Sequence, residues 1–313
     1  MASLSPTYGF AGLGNMGSEM AKNLASFAKS NGYSPVLVWN RTRQKCDSLR
    51  DGNHVEVADS IELLTSQCDV IHTCLANDNV ALEVIRQIVK AGRKGLIIVD
   101  HSTLFPTTSK TLQAESDGNG ISYCSCPVFG PPAAAKSASL LVVLSGQPET
   151  QETLRKYIVP AIGKAVIECG EDCSQATLLK ILGNNCILGT IELLSESFTL
   201  AEKTGFDVSL FYEFIEAWFP AAAWINYGKK IRDGSFPGTN GFTLPGGMKD
   251  ARFIKRLGLE TQTPTPIIDQ ALTHLTIAKS VGGDSLDWSA CAAGMRITAG
   301  LEAFKGEDFS IHP

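Results

Sequence analysis

The first half of the chain alternates between short apolar runs and longer segments with helical spacing of apolar residues. The runs are rich in β-branched and aromatic residues and are bounded by Gly, Asp or Pro, which predicts β-strands. We expect strands at Tyr8–Ala11, Val36–Trp39, Val70–Cys74, Leu96–Val99, Ser122–Cys124, Leu140–Leu144 and Ala165–Ile167, with helices that include Ser18–Lys29 and Val80–Lys90. Apolar strands that alternate with helices predict an α/β fold, a doubly wound parallel sheet covered on both faces.

The second half of the chain has a different pattern. After about residue 168 the strand signals stop, and the remaining sequence is helical with breaks at Gly and Pro. A chain of 313 residues is too long for one typical core and suits two domains. We therefore predict a doubly wound domain over residues 1–168 and an all-α domain over residues 169–313.

One helical segment, Ser174–Lys203, is much longer than the others. Asp172 and Gln175 form a plausible capping pair at its start, and Gly205 suits its end. Its apolar residues occupy most of the circumference, which predicts burial on most sides. We expect a central helix over about residues 174–203, buried either within its own domain alone or against a partner subunit as well.

Composition and charge exclude several classes of protein. The net charge is −5 and there is no run of Lys or Arg, so a nucleic-acid surface is not expected. The amino terminus, residues 1–6, lacks the basic and apolar regions of a secretory signal. No uninterrupted apolar run approaches the ~18 residues of a membrane span. We expect a cytoplasmic protein with no membrane partner.

The nine cysteines are expected to be reduced thiols in such a chain. Cys124 and Cys126 are one residue apart and Cys169 and Cys173 three apart, but neither pair meets a second pair at zinc-site spacing. The five histidines are scattered along the chain. We therefore predict no metal site.

A glycine-rich turn follows the first predicted strand and opens the first predicted helix. It reads Gly12-Leu13-Gly14-Asn15-Met16-Gly17, a G-x-G-x-x-G pattern. In this context the first glycine makes the tight turn, the second admits the pyrophosphate and the third packs helix against strand. Amides at the helix N-terminus then meet the phosphate charge. The pattern predicts a Rossmann-like, dinucleotide-binding domain.

The end of the second predicted strand bears on the choice of nucleotide. Sites for NAD usually place Asp or Glu there, to accept from the ribose 2′-hydroxyl. This chain has Asn40, Arg41 and Thr42 instead. An arginine can meet a 2′-phosphate with paired, charge-assisted hydrogen bonds, so we predict NADP (NADPH) rather than NAD. The alternative is that Arg41 is only a surface charge at the start of the next helix.

Lys180 and Asn184 lie four residues apart in the long helical segment, so they share one face. A lysine within such an apolar stretch must be paired, at the surface or functional. Reduction of a carbonyl requires a proton donor at its oxygen. Desolvation in a cleft can lower a lysine pKa from ~10.4 toward ~7–8, which suits that task. The alternative is a structural lysine in a salt bridge.

Several further motifs occur in a specific order. These are Asp100-His101-Ser102-Thr103 with Pro106, Pro127-Val128-Phe129-Gly130, and Lys249-Asp250 preceded by Phe242. Together with the glycine-rich turn, Asn40-Arg41-Thr42 and Lys180 with Asn184, they span nearly the whole chain. The sequence in this respect resembles the β-hydroxyacid dehydrogenase family, which includes 3-hydroxyisobutyrate dehydrogenases and glyoxylate/succinic semialdehyde reductases.

The resemblance implies roles for these residues. Lys180 would be the general acid/base, and Asn184 would orient the lysine or the substrate oxygen. Ser102 would contact a substrate carboxylate and Thr103 the cofactor, although both could instead cap the helix that follows. Lys249 would reach the cofactor and Phe242 would close over the nicotinamide, while Leu75, Ala76 and Asn77 would line the cofactor cleft.

The chain departs from the family pattern at Phe129, where relatives commonly carry serine. Gly130 is retained, but Pro131 and Pro132 follow it, and prolines have no N–H to donate. These changes suggest a more apolar substrate, and one that need not carry a carboxylate. Trp218, Phe219 and Trp224 could add an apolar wall, although such aromatics are more often core residues.

We therefore expect an NADP-dependent oxidoreductase that transfers hydride between the nicotinamide and a small carbonyl or β-hydroxyacid (semialdehyde) substrate. An imine reductase is one alternative, although that family usually carries Asp or Tyr in place of Lys180. A decarboxylating 6-phosphogluconate dehydrogenase would need a longer helical domain. A degenerate NADP-binding module is a third alternative, although it would typically lack the lysine. The expected assembly is a homodimer or homotetramer.

Overall fold

The computed structural model describes residues 5–305, except for the side chain of Asn240. Residues 1–4, on which the expectation of no secretory signal partly rests, lie outside the described residues. The chain divides into two compact units, Met1–Lys180 and Ile181–Pro313. The division falls inside the long helix and not at its start, because the first turn of that helix packs in the first unit. There the Cys173 thiol donates to the carbonyl oxygens of Tyr123 and Ser145.

The first unit is built on a six-stranded sheet in which neighbouring strands are all parallel. Its strands are β1 (Tyr8–Ala11), β2 (Val36–Trp39), β3 (Val55–Val57), β4 (Val70–Thr73), β5 (Ile97–Asp100) and β6 (Ser122–Ser125). The spatial order is β3-β2-β1-β4-β5-β6, so the direction of winding reverses between β1 and β4. Ligands of open α/β sheets bind at such a reversal, beyond the carboxyl ends of the strands. The predicted fold class is confirmed.

Alternation along the strands supplies an apolar core on each face of this sheet. Phe10, Val38 and Val99 belong to one buried cluster. Ile71 and Ile98 belong to the other. The covering helices are α1 (Asn15–Ser30), α2 (Arg43–Arg50), α3 (Ile61–Gln67), α4 (Asp78–Ala91), α5 (Pro106–Asp117), α6 (Pro132–Lys136) and α7 (Pro148–Ala161).

A smaller three-stranded sheet completes the first unit. It comprises β7 (Val128–Phe129), β8 (Leu140–Leu144) and β9 (Gly163–Glu168), with β7 antiparallel and β9 parallel to β8. The last two predicted strands thus lie in a second sheet. The expected set also lacked β3 and β7, which are three and two residues long and carry little periodic signal.

The second unit is helical, as predicted. Its helices are α8 (Cys173–Lys203, which begins in the first unit), α9 (Val208–Trp218), α10 (Ala222–Asp233), α11 (Leu244–Glu260), α12 (Pro266–Gly282) and α13 (Cys291–Thr298). Asp172 Oδ1 accepts the Ser174 N–H at 2.9 Å at the start of α8. Gly205, with a φ of 73°, ends the helix in the left-handed conformation that glycine allows. The expected long helix is confirmed within a residue.

Helix α8 is also long and apolar enough to cross a bilayer, judged by length and composition alone. The central helix of a folded domain passes the same test. Lys180, Asn184 and Glu192 are buried polar residues within it, which is typical of a helix packed inside a protein.

Candidate active site

The three glycines of the turn after β1 have different structural roles. A Cβ at Gly12, whose φ is 99°, would lie 2.3 Å from the carbonyl oxygen of Cys74. A Cβ at Gly17 would lie 2.0 Å from the carbonyl oxygen of Gly12. A Cβ at Gly14 would meet no protein atom within 4 Å. Packing therefore requires glycine at the first and third positions, whereas the space beside Gly14 is open to a ligand.

The start of α1 suits an anionic group. Gly14 is its N-cap residue and supplies no side-chain hydrogen bond, and the first turn, from Asn15 to Gly17 with Met16 between them, carries no acidic residue. The backbone N–H groups of this turn and the helix dipole both favour negative charge. The residues present therefore fit the pyrophosphate of a dinucleotide.

Asn40 links the end of β2 to the glycine-rich turn. Its Oδ1 accepts the Leu13 N–H at 2.9 Å, and its Nδ2 donates to the Thr42 carbonyl oxygen at 3.1 Å. The side chain thus fixes the turn and the loop after β2 in one arrangement. The sequence predicted a cofactor contact for Asn40, and the structure adds this positioning role.

The two arginines after β2 have different surroundings. Arg43 forms ion pairs with Asp59 and with Asp47, the latter at 3.6 Å. Arg41 is exposed and has no hydrogen-bond or ion-pair partner among residues 5–305. Thr42 is the N-cap residue of α2, and its hydroxyl makes no capping hydrogen bond. Arg41 and Thr42 thus present donors to solvent, whereas the Arg43 guanidinium is engaged.

Asp100 organises the carboxyl end of β5. Its Oδ1 accepts the Ser102 hydroxyl at 2.5 Å, the Ser102 N–H at 3.0 Å and the Thr73 hydroxyl at 2.8 Å. Its Oδ2 accepts the Tyr123 hydroxyl at 2.9 Å. The Ser102 oxygen in turn accepts the Leu75 N–H at 2.8 Å. Ser102 therefore ties the loop after β4 to β5, and its hydroxyl donates to a buried carboxylate.

The remaining loop residues predicted to meet the cofactor lie beside this link. Ala76 and Asn77 follow Leu75, and Thr103 follows Ser102, at the carboxyl edge of the sheet. The Asn77 Oδ1 accepts the Val80 N–H at 3.0 Å and so caps α4. A capping role for Asn77 was not anticipated from the sequence.

Lys180 lies directly above an aromatic ring. Its Nζ is 4.1 Å from the centroid of Phe129, which ends β7, and the lysine is only 9% exposed. Gly130 follows with a φ of 140°, and a Cβ there would lie 2.7 Å from Leu140 Cδ2. The strand β7 and the first turns of α8 thus bring together the predicted proton donor and the residue that departs from the family pattern.

The second unit holds the other predicted site residues. Asn184 is buried, and its Nδ2 donates to Asp250 Oδ2 at 2.6 Å. Lys249 Nζ lies 3.1 Å from Asp250 Oδ1. Because a carboxylate only accepts, it fixes the Asn184 amide with its oxygen directed away from Asp250. Asp250 was noted in the sequence beside Lys249 but was given no role.

Phe242 is held by a buried carboxylate. The Phe242 N–H donates to Asp287 Oδ2 at 2.9 Å, and the ring packs edge-on against Trp288 with centroids 4.9 Å apart. Lys230 Nζ lies 3.0 Å from the same Asp287 oxygen. A Cβ at Gly241 would approach that oxygen to 1.9 Å, so this backbone contact requires glycine. No sequence pattern indicated this anchor.

The structure also brings together Glu192, His274 and Cys291 in the second unit, all buried. Their ligand-type atoms lie within 4.8 Å of one another. The His274 Nδ1 donates to Glu192 Oε1 at 2.8 Å, and the Cys291 thiol donates to Oε2 at 3.0 Å. Direct hydrogen bonds account for these contacts. The expectation of no metal site stays a prediction.

The first unit matches a known family of cofactor-binding domains. Residues 7–170 match the NAD-binding domain of 6-phosphogluconate dehydrogenase. The matched region contains the glycine-rich turn and all the strands of both sheets.

Full-length relatives and a solved structure show similarity beyond this domain. The chain is 29% identical to the NADH-dependent oxidoreductase ucdB of Aspergillus ustus, over 91% of this chain and 98% of the relative. It is also 29% identical to mitochondrial 3-hydroxyisobutyrate dehydrogenase of Rattus norvegicus, over 88% of this chain and 81% of that one. The solved structure of Psf3 in complex with NADP+ and 2-OPP is similar with a TM-score of 0.80 and 25% identity, over 92% of this chain and 99% of that chain.

Proposed function

The chain belongs to the β-hydroxyacid dehydrogenase family and is an oxidoreductase with a nicotinamide-cofactor domain. From this premise we propose that it uses NADPH to reduce a small carbonyl compound, or NADP+ to oxidise the corresponding alcohol. Lys180 is the general acid in reduction and the general base in oxidation.

The proposal of NADP rests on the loop after β2. Arg41 is exposed and has no partner among the described residues, whereas Arg43 is engaged with Asp59 and Asp47. No carboxylate follows β2 directly to accept a ribose 2′-hydroxyl. The relative from Aspergillus ustus is named as NADH-dependent, so NADH is the control cofactor in every assay.

The chain's own residues position and protonate the substrate. When bound, the nicotinamide supplies hydride to the carbonyl carbon. Lys180, on α8, donates a proton to the carbonyl oxygen as negative charge develops there. Asn184, one helical turn further along α8 and fixed by Asp250, directs its amide oxygen away from that carboxylate and accepts from the ammonium or from the substrate hydroxyl.

The observation that carries this proposal is Lys180 itself: a lysine 9% exposed, in the unit that bears the glycine-rich turn. Loss of NADPH absorbance is measured with a panel of aldehydes, keto acids and cyclic imines. Lys180→Met should lower kcat by about 10²–10⁴-fold without changing NADPH affinity, because general acid catalysis typically contributes that much. Lys203→Met, at the exposed end of the same helix, is the matched control. Full turnover by Lys180→Met would refute the assignment, and reduction confined to imines would favour the imine-reductase alternative.

We also propose that the protein is a homodimer, or a homotetramer that contains such dimers, assembled through an apolar face of the second unit. Helices α8 and α9 and the turn between them leave large apolar side chains exposed: Leu182, Leu193, Leu200, Phe206, Leu210, Phe214 and Trp218. The three leucines on α8 are spaced 11 and 7 residues apart along the chain, so they lie on one side of the helix.

The expectation that Trp218 is a core residue is wrong, since it is 71% exposed. Exposed apolar areas of this kind usually mark protein interfaces.

A further inference from the structure

We infer that the substrate is an uncharged carbonyl compound with an apolar group near the reacting carbonyl, and that Phe129 selects for it. This inference rests on the proposed role of Lys180 as the proton donor, because the substrate carbonyl must then lie against that ammonium. The resemblance to the β-hydroxyacid dehydrogenases implies that two side chains of the first unit would contact a substrate carboxylate, Ser102 and the residue at position 129. Phe129 has no donor, and the Ser102 hydroxyl donates to Asp100 instead.

The first argument concerns Phe129. Its ring lies under the Lys180 ammonium at 4.1 Å, a distance at which the ring face attracts the cation. The ring therefore holds the proton donor and at the same time covers the space beside it with apolar surface. Phenylalanine has no side-chain donor, and Pro131 and Pro132 have no N–H. Between positions 129 and 132, only the backbone amides of Phe129 and Gly130 are donors.

The second argument concerns Ser102. A hydroxyl has one proton, and that proton is donated to Asp100 at 2.5 Å. The Ser102 oxygen also accepts the Leu75 N–H, and rotation of the hydroxyl away from Asp100 would remove one of the three hydrogen bonds that Asp100 Oδ1 accepts. A substrate carboxylate at Ser102 would meet the lone pairs of the serine oxygen and the nearby charge of Asp100.

These two observations lead to the same consequence. In the first unit a carboxylate beside the reacting carbonyl would have Lys180 as its partner, and would take the ammonium from the carbonyl oxygen that needs it. Desolvation of a carboxylate with incomplete pairing is unfavourable. An apolar group in the same place would instead gain burial against the Phe129 ring.

A pair of substrates that differ in charge and by one methyl group tests the inference: 4-oxobutanoate and its methyl ester, both with NADPH as the reductant. We expect kcat/KM for the ester to exceed that for the acid by about fivefold or more, the size of effect that one poorly satisfied polar group produces. A smaller preference, or a preference for the acid, overturns the inference.

Two variants assign the selectivity to position 129. Phe129→Ser introduces a hydroxyl donor beside Lys180 and should lower the ester-to-acid ratio by about fivefold. Phe129→Leu keeps the position apolar and without a donor, and should preserve the preference for the ester. Equal ratios in Phe129→Ser and the unmodified enzyme would overturn the role of Phe129.

A binding measurement separates this inference from the proposed function. If 4-oxobutanoate, its ester and every aldehyde and keto acid of the panel are left unreduced, the carbonyl-reductase proposal fails. Calorimetric titration of the enzyme–NADP+ complex with butyramide and butyrate then still tests the recognition of charge. We expect the amide to bind at least about fivefold more tightly, and equal or tighter binding of butyrate overturns the inference.

Discussion

His72 Nδ1 and His101 Nε2 lie 2.9 Å apart in the interior of the first unit, and the neighbours of the two rings fix which nitrogen carries each proton. His101 Nδ1 is 2.8 Å from the Cys126 carbonyl oxygen, which only accepts, so His101 donates there and its Nε2 is an acceptor. His72 Nδ1 must then donate to His101, and its Nε2 accepts the Tyr157 hydroxyl at 2.9 Å. Both histidines are neutral in this chain of hydrogen bonds.

This arrangement predicts a loss of stability in mild acid. Burial lowers the pKa of His72 well below its ordinary value of about 6.5, with a further contribution from His101. Burial also lowers the pKa of His101, although the Cys126 carbonyl and Asp100 oppose the shift. In the unfolded chain both rings bind protons below pH ~6.5, whereas the folded protein excludes them. The contribution of these two histidines to the free energy of unfolding should therefore be constant above pH ~6.5. It should decrease as the pH is lowered below that value.

Urea unfolding at a series of pH values between about 8 and 5.5 measures this effect, which approaches about 1.4 kcal/mol per pH unit for each excluded proton. His101→Asn keeps a donor for the Cys126 carbonyl and removes one titrating group, so the acid slope should become shallower. Gln67→Asn, an exposed substitution on α3 that removes no titrating group, is the control and should leave the slope unchanged. A slope unaffected by His101→Asn would contradict the prediction.

Nucleotide selection should depend on one of the two neighbouring arginines. Arg41→Ser should weaken NADPH binding by about 10–100-fold, because the lost charge-assisted contact with the 2′-phosphate is worth about 1.5–3 kcal/mol. NADH binding should hardly change. Arg43→Ser is the matched control, since that guanidinium is already paired with Asp59 and Asp47. Fluorescence titration with both nucleotides measures the effect, and an equal loss of affinity for NADH in Arg41→Ser would argue against a 2′-phosphate contact.

The glycine-rich turn should separate cofactor binding from stability. Gly14→Ala adds a methyl group that meets no protein atom within 4 Å, so the thermal midpoint of the cofactor-free protein should stay the same. NADPH affinity should fall by about tenfold or more, since the methyl group occupies space that the pyrophosphate needs. Gly17→Ala forces a contact with the Gly12 carbonyl oxygen and should cost about 1–3 kcal/mol of stability. Destabilisation of both variants to the same extent would show that Gly14 is a packing residue.

The sequence was most informative where a pattern is local. The short apolar strands, the glycine-rich turn and the long, mostly apolar helix α8 each occupy one stretch of chain, and the structure has all three. The strand β7 is only two residues long and gave no such signal.

Contacts between distant positions could not be predicted in the same way. The hydrogen bond from Asn184 to Asp250 joins residues 66 positions apart, and that from Phe242 to Asp287 joins residues 45 apart. The hydrogen bond from the Ser102 hydroxyl to Asp100 joins residues only two positions apart. It nevertheless depends on a turn geometry that residue types alone do not specify. Such contacts decide what each site residue is able to donate, and residue types alone do not reveal them.

The exposed apolar face of α8 and α9 should be the surface through which two subunits associate. Leu200 is 62% exposed and lines an open groove of about 410 Å³ together with Phe206 and Phe211. Leu200→Lys would place an unpaired charge in the proposed interface, at a cost of about 3 kcal/mol or more, so the dimer dissociation constant should rise by about 100-fold. The fold itself should be unaffected, because the side chain is exposed within one chain. Sedimentation velocity over a range of concentrations measures the shift, and Leu63→Lys, an exposed leucine on α3 of the first unit, is the matched control. A Leu200→Lys variant with the same mass in solution as the unmodified protein would mean that this face does not hold the assembly together.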